Sequence, residues 1–415
     1  MRILWLKTEL LHPVDKGGKI RTYQMLKQIN RLHDVTYLTL ASDRDAPDAF
    51  TRASEYCARL IPVRWSEPRK FSARFYSDLA LNVSSALPYA IQKYRSAAMK
   101  RAIVRERHTR DYDLVVCDFL TPAINYIHSP TRPAVLFQHN VESGIWRRHY
   151  ETQANRVKKA FFYSQWQKMY RYERDACRAF NAVIAVSQTD RDQMRDEFSV
   201  NEVYDVPTGV DTEYFQPLGS RPEPYNLVFT GSMDWMPNED AIIYFAEKIL
   251  PQISRRMPHV TLTVVGRNPS RRLKAIAESN NQIKITGRVD DVRPFIDAAS
   301  AYVVPLRIGG GTRLKIYEAM AMGRPVISTT VGAEGLPVAD GKELLIADEP
   351  EDFAEAAIRL LSDARLRKRI GQQARETVCA HHGWERAASD FMKICEGVVE
   401  KRSSKVRGVS YAFAS

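Results

Sequence analysis

Three glycines, two cations and a carboxylate stand within ten residues of one another at the head of GGGTRLKIYEAMAMGRPVIS, residues 309–328. That combination suits an anion. Backbone N–H groups of the glycines, a helix N-terminus, Arg313 and Lys315 together make a seat for a diphosphate, and Glu318, one turn on, accepts hydrogen bonds from sugar hydroxyls. Thr312 stands where a helix is capped, and Gly323 followed by Pro325 where one stops. At about 100° per residue, Leu314, Tyr317 and Ala321 fall on one side of that helix and Ile316 with Met320 on another. Only a narrow wedge remains for Lys315, Glu318 and Met322, so the helix is expected to be buried. A buried carboxylate needs partners, and Lys315 supplies only part of what Glu318 requires. The competing reading is an intrahelical Lys315–Glu318 pair on a core helix.

The elements that must position this stretch form two alternations of strand and helix. RILWLK (2–7) runs through a short loop into GGKIRTYQMLKQINRL (17–32), a strand, Gly-Gly, helix unit in which Gly17 and Gly18 permit close backbone approach to a ligand. It is not a P-loop, because no glycine lies five residues before Gly18 and Ile20 stands where Ser or Thr belongs. Strands are expected at 34–41, 58–65, 112–119, 133–139, 182–187 and 203–209, with helices between most of them, which implies a parallel sheet covered on both faces. Ligands bind such sheets at the carboxyl ends of strands, and His139 in FQHN lies at one. TGVDTEYFQPLGSRPEPY is rich in Gly and Pro without periodicity, so 209–225 reads as a linker between a first domain (1–208) and a second (226–400). The second alternates again through 227–231, 260–266, 283–287 and 301–306. Three of those strands end in Gly231, Gly266 and Gly287, clearing side chains from the edge where the glycine loop lies. Residues 401–415 lack periodicity and read as a disordered tail.

Composition narrows the partners. Of a net charge of +12, residues 1–208 carry nearly all, with 33 Lys+Arg against 23 Asp+Glu. Two segments explain it: 93–110, a run of seven cations along one helix, and 146–173, where Arg147, Arg148, Lys158 and Lys159 interleave with Trp146, Phe161, Phe162, Trp166 and Tyr170. Such a surface suits an anionic membrane. Ordinary helices with solvated basic faces and aromatic core contacts are the alternative. Nucleic acid is not expected as a partner, since no recognised module or stacking platform accompanies the charge. Five scattered cysteines, odd in number and never spaced C-x-x-C, argue against a disulfide framework or zinc knuckle. The first residues hold too few apolar positions for a signal-peptide core, and no uncharged run approaches the roughly 18 residues of a membrane span. The expectation is a cytoplasmic protein, peripheral on the inner face of the membrane.

With GG at 17–18, QHN at 138–140, PTGVDTEYFQP, FTGSMDWMPNEDAI, ITGRVDDVRPFI and PLRIGGGTRLKIYEAMAMGRPVIST, the chain resembles the retaining, nucleotide-sugar-dependent glycosyltransferases of glycosyltransferase family 4. The resemblance implies the α/β GT-B fold, two Rossmann-like domains facing each other across a cleft. The second would hold the nucleotide sugar and the first a glycan or lipid-linked acceptor, with no metal or other cofactor. It implies that Glu318 binds the ribose, that the backbone at Arg288 and Val289 holds the base, that His139 sits beside the transferred sugar and that Gly17 and Gly18 approach the diphosphate. Two departures stand out. The family often carries a glutamate eight residues before the one matching Glu318, where this chain has Gly310, so backbone N–H groups of Gly310 and Gly311 are expected to serve the sugar. It also commonly places Arg and Lys after the first strand of the second half, where Ser232, Met233 and Asp234 stand, and the diphosphate role passes to Arg313 and Lys315, the latter two already selected by the helix-terminus argument. The GGGTRLK branch resembles enzymes of bacterial exopolysaccharide or cell-surface glycan assembly. A nucleotide-sugar epimerase, a phosphorylase or a basic nucleic-acid-binding protein are the alternatives.

Overall fold

The computed structural model describes residues 1–67, 72–126, 132–308 and 314–412, with side chains through Arg402. The chain forms two compact units, residues 1–207 with 387–415, and residues 208–386. In the first, β1 (Arg2–Lys7), β2 (Asp34–Ala41), β3 (Arg59–Arg64), β4 (Leu114–Asp118), β5 (Ala134–Phe137), β6 (Ala182–Ala185) and β7 (Val203–Asp205) make one sheet. Its order is β3-β2-β1-β4-β5-β6-β7, parallel throughout. In the second, β8 (Asn226–Thr230), β9 (Thr261–Val265), β10 (Ile283–Gly287), β11 (Ala301–Val304), β12 (Val326–Ser328) and β13 (Leu345–Ile346) pair in parallel as β10-β9-β8-β11-β12-β13. Both orders reverse direction beside the first strand, between β1 and β4 and between β8 and β11. Those switch points are where doubly wound sheets leave room for a ligand.

The central strands are apolar runs because both faces are covered. β4, β5, β6, β8 and β11 are buried at every position. The strands expected from sequence are all present, and their ends agree within a residue or two except for the one expected at 203–209, which stops at Asp205. β12 and β13 were not anticipated: three and two residues long, they are too short to show a period.

The stretch expected to link two domains is fastened to the second unit. Asp297 is fully buried, and its carboxylate accepts from the backbone N–H of Leu218 at 3.2 Å and of Ser220 at 3.0 Å and from Arg324 Nη2 at 2.5 Å. Glu223 N donates to Ala298 O, Val210 N donates to His382 O at 2.7 Å, and a Cβ on Gly209 would come within 2.8 Å of the Trp384 backbone. Gly and Pro here serve a docked strap. Burial pushes the Asp297 carboxyl up, but Arg324 and the two N–H donors outweigh it and hold it below the usual range. A carboxyl depressed in the folded state contributes stability above its unfolded pKa and loses it as pH falls through the folded one. Asp297→Ala, which leaves the Arg324 guanidinium buried and unpaired, is expected to cost about 3–5 kcal/mol, read as a lower denaturant midpoint.

The chain end departs from expectation. A second domain running to residue 400 and a structureless 401–415 are replaced by one helix, Trp384–Ala412, which leaves the second unit and packs on the first. Phe391, Cys395 and Val398 are buried at helical spacing, and the Phe391 ring lies 5.7 Å from Trp5 and 5.0 Å from Phe137. An amphipathic face of that size finds its apolar partner on the first sheet, and Lys401 pairs with Glu202 at 2.9 Å. Among the described residues no helix is long and apolar enough to cross a membrane.

Candidate functional site

In the first unit the chemistry collects at the carboxyl ends of β1, β4 and β5. Asp118, the last residue of β4, is completely buried and takes four contacts. Its Oδ2 accepts from Trp5 Nε1 at 2.9 Å and from Thr22 Oγ1 at 2.6 Å; its Oδ1 accepts from Lys7 Nζ at 3.0 Å and lies 2.8 Å from His139 Nε2. Lys7 Nζ also donates to Thr22 Oγ1 at 2.8 Å. Burial alone would raise the Asp118 carboxyl, but Lys7 first, then His139 and Thr22, hold it well below the carboxylate range. It is therefore a fixed negative charge.

His139 is neutral beside it. Burial draws its pKa down to about 4 against the upward pull of Asp118. The Nε2–Oδ1 contact is short but out of line for a full hydrogen bond, and Nδ1 has no hydrogen-bond partner among the described residues. A neutral imidazole facing a carboxylate keeps its proton on that side, so Nδ1 is left as an acceptor. It points past the glycine turn: a Cβ on Gly18 would lie 3.7 Å from it. An alanine would fit there, but it would cover the ring nitrogen. Gly17 opens the helix Gly17–Ile29, whose Lys16 cap makes no side-chain bond. Edge contacts from Phe119 and Phe137, with centroids 4.9 and 4.8 Å away, fix the imidazole plane. Phe119 adopts φ +80°, a conformation costly for a bulky side chain that the fold maintains next to His139.

In the second unit the helix expected at the glycine stretch spans Leu314–Ala321 and ends at Gly323, φ +67°, whose N–H donates to Met320 O at 2.8 Å. Ile316, Tyr317, Ala319, Met320 and Ala321 are fully buried. Met322, placed by spacing on the polar wedge, is also buried, because the helix has closed by then and the chain turns inward. Lys315 and Glu318 do not pair. Lys315 Nζ donates to Asn238 Oδ1 at 2.8 Å and lies 4.0 Å above the Phe229 ring, at the carboxyl end of β8. The Glu318 side chain, half-buried on the same side, makes no hydrogen bond or ion pair among the described residues. Burial pushes its carboxyl up to about 7, with Lys315 opposing. Tyr302, whose hydroxyl feels the Glu318 charge, has that hydroxyl engaged with Thr230 Oγ1 at 2.6 Å.

The three strand-end glycines differ in purpose. A Cβ on Gly266 would stand 1.7 Å from Gly231 O, so Gly266 is required by backbone packing. A Cβ on Gly231 would meet Lys315 Nζ at 2.7 Å and Asn238 Nδ2 at 2.6 Å. Only Gly287, φ +72°, faces open space. After it Arg288 is exposed, and Val289 packs on the cluster holding Tyr302 and Ile316. Asp291, further along the same loop, is taken by Arg293 at 2.7 Å.

Gly310, Gly311, Thr312 and Arg313 lie outside the described residues. Four participants escaped sequence reasoning. Lys7 and Asp118 looked like strand-end polar residues, and their meeting required the β1–β4 pairing across more than a hundred residues. Asn238 read as a helix start. Arg267 follows β9 and donates from Nε to Ser232 Oγ at 2.9 Å, bringing a cation to the place where the expected arginine is missing.

Residues 16–214 match the family described as Glycosyltransferase Family 4, and residues 224–363 that described as Glycosyl transferases group 1. A Klebsiella pneumoniae chain described as an uncharacterized 44.6 kDa protein in cps region is 20% identical over 94% of this chain and 99% of its own. A phosphatidyl-myo-inositol mannosyltransferase of Mycolicibacterium smegmatis is 29% identical over 52% of this chain, which spans 57% of that enzyme's length. Among solved structures, Anabaena HepE in complex with UDP and glucose superposes with TM-score 0.68 at 14% identity, over 96% of this chain and all of that one. Two parallel sheets of reversed strand order, with glycosyltransferase families matched on both halves, make this chain a glycosyltransferase of GT-B fold.

Proposed function

We propose that the enzyme moves a glycosyl group from a nucleotide sugar to an acceptor hydroxyl with retention at the anomeric carbon. The bond from that carbon to the diphosphate oxygen breaks and a bond to the acceptor oxygen forms on the same face, the acceptor proton passing to the departing phosphate. Glu318 carries the reading: a half-buried carboxylate with no side-chain partner among the described residues, beside a lysine turned to the β8 edge, is built to receive ribose hydroxyls. Arg313, Lys315 and the helix N-terminus stabilise the charge that grows on the leaving diphosphate, with Gly310 and Gly311 offering N–H groups to the sugar. Thr312 is assigned to the same donor site, Arg288 and Val289 hold the base through their backbone, and Gly231 keeps the β8 end open to the phosphates. From the first unit, His139 Nδ1 accepts from a hydroxyl of the transferred sugar at the Gly17–Gly18 turn. No metal enters this scheme.

The test is a thermal-shift screen of UDP, GDP and ADP with their sugars, since a ligand that binds only the folded state raises its stability by mass action. One nucleoside diphosphate is expected to raise the midpoint. Turnover that needs no acceptor and leaves a new sugar nucleotide would mark an epimerase instead. The Anabaena complex and the cps-region relative support a UDP-type donor and a role in exopolysaccharide or cell-surface glycan assembly.

The acceptor, glycan or lipid-linked, is met at an anionic membrane surface on the cytoplasmic side. Of the two basic segments, 93–110 has several cations already engaged: Lys93 pairs with Glu67, Arg110 with Asp34, and Arg107 lies by the Tyr126 ring. The start of helix Arg156–Ala179 is better suited. Val157 and Phe161 are 80% and 37% exposed and fall on the side of that helix where Gln165 and Lys168 hold Asn82 and Val83. Leu81 and Val83 are exposed as well, as are Arg74, Arg156 and Lys158. Vesicles containing anionic lipid are expected to sediment the protein at low salt and release it at high salt. Val157→Ser with Phe161→Ser should weaken the binding, and its absence at low salt would end the idea.

A further inference from the structure

One carboxylate grips the His139 turn on both sides. Glu173, in the helix Arg156–Ala179, is wholly buried. Its Oε1 accepts from Gln138 Nε2 at 3.1 Å and from the backbone N–H of Glu142 at 2.8 Å, and its Oε2 accepts from the backbone N–H of Ser143 at 2.8 Å. Gln138 precedes His139; Glu142 and Ser143 follow it and begin the next helix, Glu142–Thr152. The first N–H groups of a helix lack internal partners, and a Ser, Thr, Asp or Asn at the cap ordinarily answers them. Here the cap residue is Val141 and provides no side-chain bond. The answer comes instead from a carboxyl 30 residues along the chain, whose burial pushes its pKa up to about 8, a costly solution where a local cap would have sufficed. What the distant carboxylate adds, and a local cap would not, is the strut to Gln138 on the other side of the histidine.

We infer that Glu173 is a positioning residue for His139, clamping the 138–143 turn so that the imidazole stays buried between Asp118 and Gly18 with Nδ1 presented to substrate. The orientation half of this rests on the proposed role of His139 at the sugar; the clamp itself does not. Arg171 and Arg174, nearby in sequence, are not part of it, since Arg174 pairs with Asp175 and Arg171 is exposed.

The test reads the imidazole directly by NMR titration of His139, assigned by its loss in His139→Ala. Asp118, Lys7 and Arg21 surround the ring, and burial holds its pKa near 4, so in the parent protein it should remain neutral from pH 5 to 8. Glu173→Gln keeps the volume but turns an amide NH2 on one of the N–H donors, and the His139 ring is expected to loosen and titrate toward the ordinary histidine value of about 6.5. Gln138→Met removes only the strut ahead of the histidine and should shift the titration in the same direction by a smaller amount; it serves if Glu173→Gln does not fold. Parent-like His139 titration in a folded Glu173→Gln, or in Gln138→Met where that alone folds, overturns the clamp. Kinetics separate the two readings. With whichever nucleotide sugar the enzyme turns over, Glu173→Gln should lower kcat at least about tenfold at unchanged KM for the donor, and by less than about twofold in a His139→Ala background, as expected of coupled groups. Equal losses in both backgrounds would make Glu173 merely structural and leave His139 standing. A His139→Ala enzyme with parental kcat would remove the sugar role while leaving the clamp to the titration.

Discussion

Glu318→Gln is expected to weaken nucleoside diphosphate binding by about tenfold or more in calorimetry on the folded variant. The substitution keeps the volume and removes the charge from the hydrogen bonds to ribose, each contributing about 1.5–3 kcal/mol, while 1.4 kcal/mol is a factor of ten. The geometry leaves little else for the carboxylate to do. Lys315 is turned to Asn238, and Tyr302 to Thr230. The pH dependence follows. Burial puts the free carboxyl near 7, and the ionised form is the better acceptor, so affinity should rise from pH 6 to pH 8 with release of a proton on binding. The nucleotide's own phosphate titrates in this range too, and Glu318→Gln isolates the protein's share by abolishing it. Arg313→Ala and Lys315→Met should instead discriminate by phosphate number, weakening diphosphate far more than nucleoside, with no rescue by added magnesium. If Glu318→Gln and Lys315→Met both bind nucleotide as the parent does, the helix is core and nothing more.

His139→Ala should lower kcat on the order of a hundredfold, the scale on which removing one preorganised polar contact to the reacting group is felt. Nucleoside diphosphate affinity should stay within about twofold, because nothing in the first unit's network touches the base or ribose in the proposed arrangement. Asp118→Asn is the informative companion. It leaves the Lys7 ammonium without its counter-charge and turns an NH2 toward either Lys7 and His139 or Trp5 and Thr22, so stability should fall by about 3–5 kcal/mol along with turnover. A large loss of free nucleotide affinity in His139→Ala would place the histidine in the wrong pocket.

The glycine stretch shows how far local chemistry carries. Its helix, its Gly323 stop and its buried faces follow from 3.6-residue spacing alone, as does the parallel character of both sheets from apolar runs alternating with helices. Those properties are set by neighbours within a few residues, which is why they can be read before folding is considered. The resemblance to glycosyltransferases was likewise local, resting on short runs such as QHN and GGGTRLK, and the matched families agree with it.

What the residues in line did not settle were choices between partners equally near in composition. Lys315 had Glu318 one turn away and went instead to Asn238, because β8 and its following helix stand closer to its ammonium in space than its helical neighbour does. The strap at 208–225 looked free because Gly and Pro have no period, yet Asp297, brought in from the helix Arg293–Asp297, supplies the carboxylate that its N–H groups needed. The last helix showed an apolar face and no address for it; only the first sheet, with Trp5 and Phe137 presented, decided which unit it would join. The charge at the centre of the first unit was least visible of all. Lys7, Asp118 and His139 are separated by 111 and 21 residues, and what brings them within 3.0 Å is the pairing of β1 with β4 and β4 with β5, a consequence of burying whole strands rather than of any contact the three residues could form alone.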